Sequence, residues 1–116
     1  MIRNSDSIPF YEVKAAKDTE MQVLISDCEA PNFAMRRFRM QPGGSMPNHT
    51  NSVEHEQYVL SGQAEVGLDD EVFYAKAGDF LYIPPNKPHW YKVIGDEPYE
   101  FLCLVPNRED HIQVLP

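Results

Sequence analysis

Residues 43–62 read GGSMPNHTNSVEHEQYVLSG, and residues 78–93 read GDFLYIPPNKPHWYKV. In the first stretch His49 and Asn51 stand two apart. On an extended strand, both side chains therefore leave the same face. His55 follows after a short connection and opens the β-rich run 56–61. In the second stretch His89 comes directly after the proline-rich turn 84–88, at the start of another β-rich run. Imidazole is the commonest side-chain ligand for transition metals. Strands that bring His49, His55 and His89 together can hold one ion between them; scattered over a surface, the same residues hold none. The remaining histidine, His111, lies in a polar C-terminal tail and is expected to be exposed.

Outward from these stretches the chain is a series of short β-rich runs: 21–27, 33–41, 46–49, 63–68, 71–75, 80–83, 89–94 and 100–105. Pro and Gly interrupt it too often for a long apolar stripe of helical period. Asp69-Asp70 is predicted to close a hairpin. Pro42-Gly43-Gly44, Ser61-Gly62 and Pro84-Pro85-Asn86 are predicted turns. Residues 11–17 fit either a short helix or an extra strand. Many short strands at fairly even spacing point to an all-β sandwich or small barrel.

The 116 residues make a single domain, long enough to bury a core without disulfides. A formal net charge of −8 argues against nucleic acid and anionic membrane surfaces, which need clustered Lys and Arg. No apolar run approaches the roughly 20 residues of a membrane helix. The N-terminal MIRNSDSIPF lacks the apolar centre of a signal peptide. A cytoplasmic location is expected, with Cys28 and Cys103 as reduced thiols. Within the basic cluster, Arg37 and Arg39 are read as one exposed strand face.

The spacing of the two stretches resembles a known family. Gly43, five residues, His49, one residue, Asn51, three residues, His55, six residues and Gly62 follow the first motif of the cupin superfamily. Gly78, five residues, Pro84, one residue, Asn86, two residues, His89, three residues and Val93 follow the second. The chain departs from the motifs at four places. His55 stands where the motif has Glu, and Asn51 where it has its second His. Asn86 replaces the second motif's second Gly, and Val93 its final Asn. Asn tolerates positive φ better than other non-glycine residues, so Asn86 suits a tight turn. An all-histidine set resembles a small single-domain cupin group that binds manganese. Shared wording includes Glu29-Ala30-Pro31-Asn32-Phe33, Glu54-His55-Glu56 and the run 100–106.

The resemblance implies a double-stranded β-helix, the jelly-roll barrel of the cupins, with its core at about 33–106. It also implies N-terminal strands at 8–27 for contact with a second copy, hence a homodimer, and a C-terminal tail at 107–116. The implied metal ligands are His49, His55 and His89, with Asn51 as a weaker oxygen donor or no ligand at all. The implied ion is divalent Mn, Fe, Ni, Cu or Zn. Three neutral imidazoles leave its charge uncompensated and several coordination positions open.

Parity places Tyr91 and Val93 on the face of His89, with Trp90 and Lys92 opposite. It likewise groups Phe101, Cys103 and Val105, a face the resemblance turns into the barrel, with Met46 at the mouth. Arg36 shares a face with Phe38 and Met40. An arginine there needs a partner, either a substrate oxyanion or a carboxylate such as Glu56. Glu56 has the opposite parity to His55 and is expected to point away from the site. Arg36 and Tyr91 are therefore the candidate substrate-handling residues. Cys103 is read as an apolar filler or a soft ligand. The expected activity is that of a metal-dependent, dioxygenase-like oxidoreductase on a small organic substrate. The alternatives are a non-catalytic ligand-binding cupin and a sugar or keto-acid isomerase or decarboxylase.

Overall fold

Along most of the predicted runs, side chains alternate between buried and exposed positions, and each run contributes to a strand. The computed structural model describes residues Met1–Pro116. A short 3-10 turn (Ser5–Ser7) leads to β1 (Tyr11–Glu12), β2 (Lys17–Ile25), β3 (Phe33–Asn51), β4 (His55–Ser61) and β5 (Gln63–Leu68). These are followed by β6 (Glu71–Lys76), β7 (Phe80–Ile83), β8 (His89–Ile94), β9 (Tyr99–Pro106) and β10 (Ile112–Val114). On β4, His55, Gln57 and Val59 point in while Glu56, Tyr58 and Leu60 point out. On β8, His89, Tyr91 and Val93 are the buried set, as parity predicts.

The hydrogen-bonded path runs β6-β5-β8-β3-β9-β4-β7, with β2 and β10 added along β3 and β1 along β2. The path curls because β3 serves two layers. Its first half pairs with β9 from Phe33↔Pro106 to Met40↔Tyr99. Its second half pairs with β8 from Ser45↔Lys92 to His49↔His89. The fold is therefore the all-β jelly roll expected from the motifs. No helix is long and apolar enough to cross a membrane.

Pro42-Gly43-Gly44 is a bend inside one strand and not a turn between two. The runs 33–41 and 46–49 are one strand of 19 residues. Pro42 withholds an N–H from the ladder, and Gly43 takes φ +84°. Here the register with β2 jumps from Thr19↔Met40 to Lys17↔Ser45. The strand thereby leaves one layer and enters the other. The predicted hairpin at Asp69-Asp70 is present, with Leu68 paired to Glu71. Asn86 does adopt positive φ, at +63°. Its N–H donates to the Asn51 carbonyl at 2.7 Å, which ties the turn before His89 to the strand carrying His49 and Asn51.

The core is a single cluster inside the curl, built around Phe38, Met40, Val59, Val66, Tyr99 and Phe101. The Phe38 and Phe101 rings stack at 5.1 Å. At the N-terminus, residues 11–17 form the short β1 and a turn. The strand expected at a partner's sheet, β2, pairs with β3 of its own chain. Gln22 pins the leading segment there, its Nε2 donating to the carbonyls of Ser5 (2.7 Å) and Ile8 (2.9 Å).

Arg37 and Arg39 are not a solvated strand face. Both reach Glu100 Oε1, at 3.0 and 3.1 Å. Arg39 also meets Glu20 at 3.1 Å and lies 4.0 Å over the Phe10 ring. The N-terminal segment half-covers them, so their charges are matched by carboxylates that lie far away in sequence. This arrangement holds the Glu100 pKa below its usual value even though burial pushes it up.

Candidate functional site

The three motif histidines stand at strand ends on one rim of the barrel: His49 late in β3, His55 at the start of β4 and His89 at the start of β8. All are buried, at 8%, 7% and 1% exposure. The ring centroids lie 4.1 Å apart for His49 and His89, and 6.1 Å apart for His55 and His89. Nδ1 of His49 faces the Pro47 carbonyl at 2.7 Å, and Nδ1 of His89 faces the Lys87 carbonyl at 2.8 Å. A carbonyl oxygen only accepts, so each Nδ1 carries the proton and each Nε2 keeps a free lone pair. His55 Nε2 is buried with no hydrogen-bond partner. Asn51 Oδ1 is in the same condition, because its Nδ2 is committed to Asp110 Oδ2 at 2.8 Å.

Orphaned acceptors of this kind fit a cation. The rings must still adjust to receive one. As they stand, no three His, Cys, Asp or Glu groups are gathered as a metal site. Two imidazoles on one ion, with bonds of about 2.1 Å, place their centroids roughly 4.5 Å apart or more. The His55–His89 pair already meets that separation. His49 and His89, at 4.1 Å, would have to part by a few tenths of an ångström.

Beneath the histidines lies a cavity of about 240 Å³, with Met46, Phe38, Phe101 and Cys103 among its walls. Arg36 enters it from β3. Of its two expected partners, a substrate oxyanion or a carboxylate such as Glu56, the carboxylate does not reach it: Glu56 points outward, as its parity predicts, where partial desolvation and the Glu54 carboxyl raise its pKa to about 7. Instead Arg36 Nη2 donates to Cys103 Sγ at 3.3 Å, and its guanidinium lies 5.1 Å over the Phe38 ring. Arg36 Nε is buried and unpartnered. Cys103 is fully buried, and burial pushes its thiol pKa up against the pull of Arg36, so it remains a thiol. Both cysteines are free.

Tyr91 is 2% exposed and stacks on Phe101 at 5.6 Å. Its hydroxyl accepts from Gln57 Nε2 at 2.8 Å. Burial raises its pKa well above the ordinary value, so it stays a neutral phenol. Val105 alone among the expected pocket residues lies off the cavity. It packs against the core instead, because its position pairs with Ala34 near the far end of β3.

Two polar residues of the site were not among the sequence candidates. Gln57 lines the cavity, and its parity with His55 and Val59 would have identified it. Asp110 had no local signal. The segment 107–116, read as a polar C-terminal tail, folds back as β10, with Ile112 paired to Asn51 and Val114 to His49. His111 is exposed as expected.

Burial is the largest influence on His55, with the positive field of Arg36 next, and together they lower its pKa to about 3. Burial likewise lowers His89 to about 4, against the opposing hydrogen bond that its Nδ1–H donates to the Lys87 carbonyl. Both imidazoles are neutral at pH 7, as metal ligation requires. In the metal-free protein this has a cost. Below pH 6.5 the unfolded chain takes up protons at these positions and the folded chain does not, so stability falls with falling pH. At pH 5 the loss is about 2 kcal/mol for each imidazole. Metal-free protein should melt at a lower temperature at pH 5 than at pH 7.5, and His89→Gln should narrow the difference. An unchanged pH dependence in the variant would count against a buried neutral His89.

Comparison with known proteins places the chain among relatives. A family model described as a cupin domain matches residues 36–105, a segment that contains all three motif histidines and Asn51. An uncharacterized protein of Methanocaldococcus jannaschii is 44% identical over 50 residues, 43% of this chain and 40% of its own length. The polyketide synthase CurC of Streptomyces cyaneus is 37% identical over 59 residues, 50% of this chain and 38% of its own. The match thus spans about two fifths of the length of these curated relatives. The solved structure of the polyketide cyclase RemF from Streptomyces resistomycificus superposes with a TM-score of 0.92 at 27% identity, covering 100% of this chain and 86% of RemF. With more than half of its length inside the family segment, and with both motifs on the strands that curl into a jelly roll, the chain belongs to the cupin family.

Proposed function

We propose that the protein is a metal-dependent enzyme that binds a small enolisable, polyketide-like molecule and holds it for ring closure. One observation carries this reading. Three buried imidazoles with their Nε2 atoms uncommitted or unpartnered stand over an apolar cavity that also holds an arginine without a carboxylate. Likeness to a polyketide cyclase and a polyketide synthase supports the substrate class.

His49, His55 and His89 would hold a divalent transition metal, with Asn51 Oδ1 as a weaker fourth donor. When bound, the ion supplies Lewis-acid polarisation of a substrate oxygen. Arg36 presents N–H donors into an apolar space, where an oxyanion is worth more to it than in water. An enolised β-diketone spreads its charge over two oxygens, and Arg36 would take one of them. Phe38 and Phe101, stacked on each other, would give a planar ring one apolar wall, and the Tyr91–Gln57 pair would close the polar side of the pocket. At about 240 Å³ the cavity is smaller than the roughly 300–1,000 Å³ of usual ligand pockets. It suits a single small ring system, and a longer chain would project through the mouth beside β10.

Dioxygenase chemistry is the second reading, and it uses the same ligand set with its open coordination positions. Metal-loaded protein should be offered a linear poly-β-ketone long enough to close a six-membered ring, beside β-diketones and phenols, with oxygen uptake and product mass followed together. Ring closure predicts a product lighter by one water with no oxygen consumed, and Arg36→Met should raise KM. Stoichiometric oxygen uptake would replace the cyclase reading with the dioxygenase one. A ligand bound but unchanged would leave a binding protein.

A further inference from the structure

Asp110 is the one carboxylate in direct contact with a motif position of the site, and it comes from the C-terminal strap. Its Oδ2 accepts from Asn51 Nδ2 at 2.8 Å. Its Oδ1 accepts from the Ser52 backbone N–H at 2.9 Å and faces Ser52 Oγ at 3.4 Å. The next residue returns a bond, His111 N–H donating to Ser52 Oγ at 2.8 Å. Beyond it β10 pairs with β3, and Leu115 N–H donates to the Asn48 carbonyl at 2.8 Å. Ile112 and Val114 help to line the cavity although they are 65% and 55% exposed. The strap is therefore a one-layer cover, with solvent on one side and the cavity on the other.

A carboxamide has one donor end and one acceptor end. A carboxylate accepts only, so Asp110 can bind only the Nδ2 end of Asn51. That contact fixes the rotation of the amide and leaves Oδ1 buried and unpartnered. The negative charge of Asp110 also favours the charged forms of His55 and His89, which places it within electrostatic reach of both rings. Neutral imidazoles alone leave a divalent ion uncompensated, and Asp110 supplies one negative charge from behind the donors.

We propose that Asp110 is a positioning residue: one carboxylate latches the C-terminal strap over the cavity mouth and turns the Asn51 amide so that its oxygen is presented to the cation. The role rests on the metal reading above. It explains how asparagine serves where the family motif has histidine. Asn51 has lost the stiffness of a ring, and Asp110 restores it from outside. An outer group that orients a ligand typically contributes 10- to 100-fold in metal affinity.

The test is a double-mutant cycle on the full-length, EDTA-treated protein, titrated calorimetrically with Mn²⁺ and Zn²⁺. Asp110→Ala should weaken binding by about 10-fold, and Asn51→Ala should do the same. The double variant should lose clearly less than the product of the two single losses, because Asp110 then has no amide to orient and contributes only its charge. Asp110→Asn, which keeps one acceptor oxygen, should recover part of the loss and stands in for Asp110→Ala if that variant folds poorly. Amide exchange at 112–114 should quicken in Asp110→Ala with or without metal. Effects that multiply in the double variant, or unchanged affinity with a loosened strap, would overturn the positioning role and leave the metal reading intact. No binding of either ion by the wild-type protein would overturn both, while the exchange result would still report whether the strap is latched.

Discussion

His49→Ala is expected to lower transition-metal affinity by about 100-fold or more, a larger loss than any outer-group substitution gives. The same holds for His55→Ala and His89→Ala, because each removes one of three imidazole donors from a buried site with no spare histidine. His111→Ala serves as the control. That ring is exposed and sits 3.8 Å from Glu109, away from the three buried imidazoles, so metal retention should not change. Metal content after dialysis, with melting temperature measured alongside, checks the prediction. The fold should survive in each variant, since a small cavity at a barrel rim costs far less than one in the Phe38–Phe101 core. Retention of metal by all three variants would remove the basis for the proposed enzyme, and equal losses in His111→Ala would point to surface binding.

Gly62→Ala is expected to be among the most destabilising single-methyl changes in this chain, at about 3 kcal/mol. Two effects add. Gly62 has φ +77°, a region that costs an L side chain about 1–2 kcal/mol. A Cβ built there would lie 2.2 Å from the Pro98 carbonyl oxygen, and backbone atoms cannot step aside as a flexible side chain can. The 97–99 segment would have to move, and with it Tyr99, which is fully buried. Gly43→Ala separates the two effects. Gly43 also has positive φ, +84°, but a Cβ there meets nothing within 4 Å, so only the conformational strain remains. Urea unfolding should therefore show a much smaller loss for Gly43→Ala. Equal losses at the two positions would refute the steric account. Both glycines belong to the same motif, yet they are required for different physical reasons.

Features written in local periodicity could be taken directly from the sequence. Parity on β8 and β9 grouped His89 with Tyr91 and Phe101 with Cys103, the family resemblance turned those faces and the motif histidines, His55 among them, toward the barrel, and the structure places them there. Parity also turned Glu56 outward. Turn chemistry anticipated positive φ at Asn86. These features depend only on a residue's neighbours along the chain, and a strand of period two carries that information in a few positions.

The missing pieces depend on register between strands that are distant in sequence. Pro42-Gly43-Gly44 looks like a turn by composition. Whether such a segment reverses the chain or bends it is decided by the partners on either side, and here β8 and β2 continue the ladder beyond it. Arg37 and Arg39 look solvated until β9 brings Glu100 against them. By sequence Arg36 stands between a substrate oxyanion and a carboxylate such as Glu56 as its partner, and its neighbour across the strands is Cys103.

The positions of the three imidazoles, the all-β character and the family were settled by the order of residues, because spacing and alternation are properties of the chain itself. The company those imidazoles keep was settled only by folding. Asp110 reaches Asn51 across 59 positions, and β10 closes the mouth through bonds to β3. Contacts of that kind arise when the curled sheet brings the end of the chain back to its middle, and no local pattern encodes where that return will land.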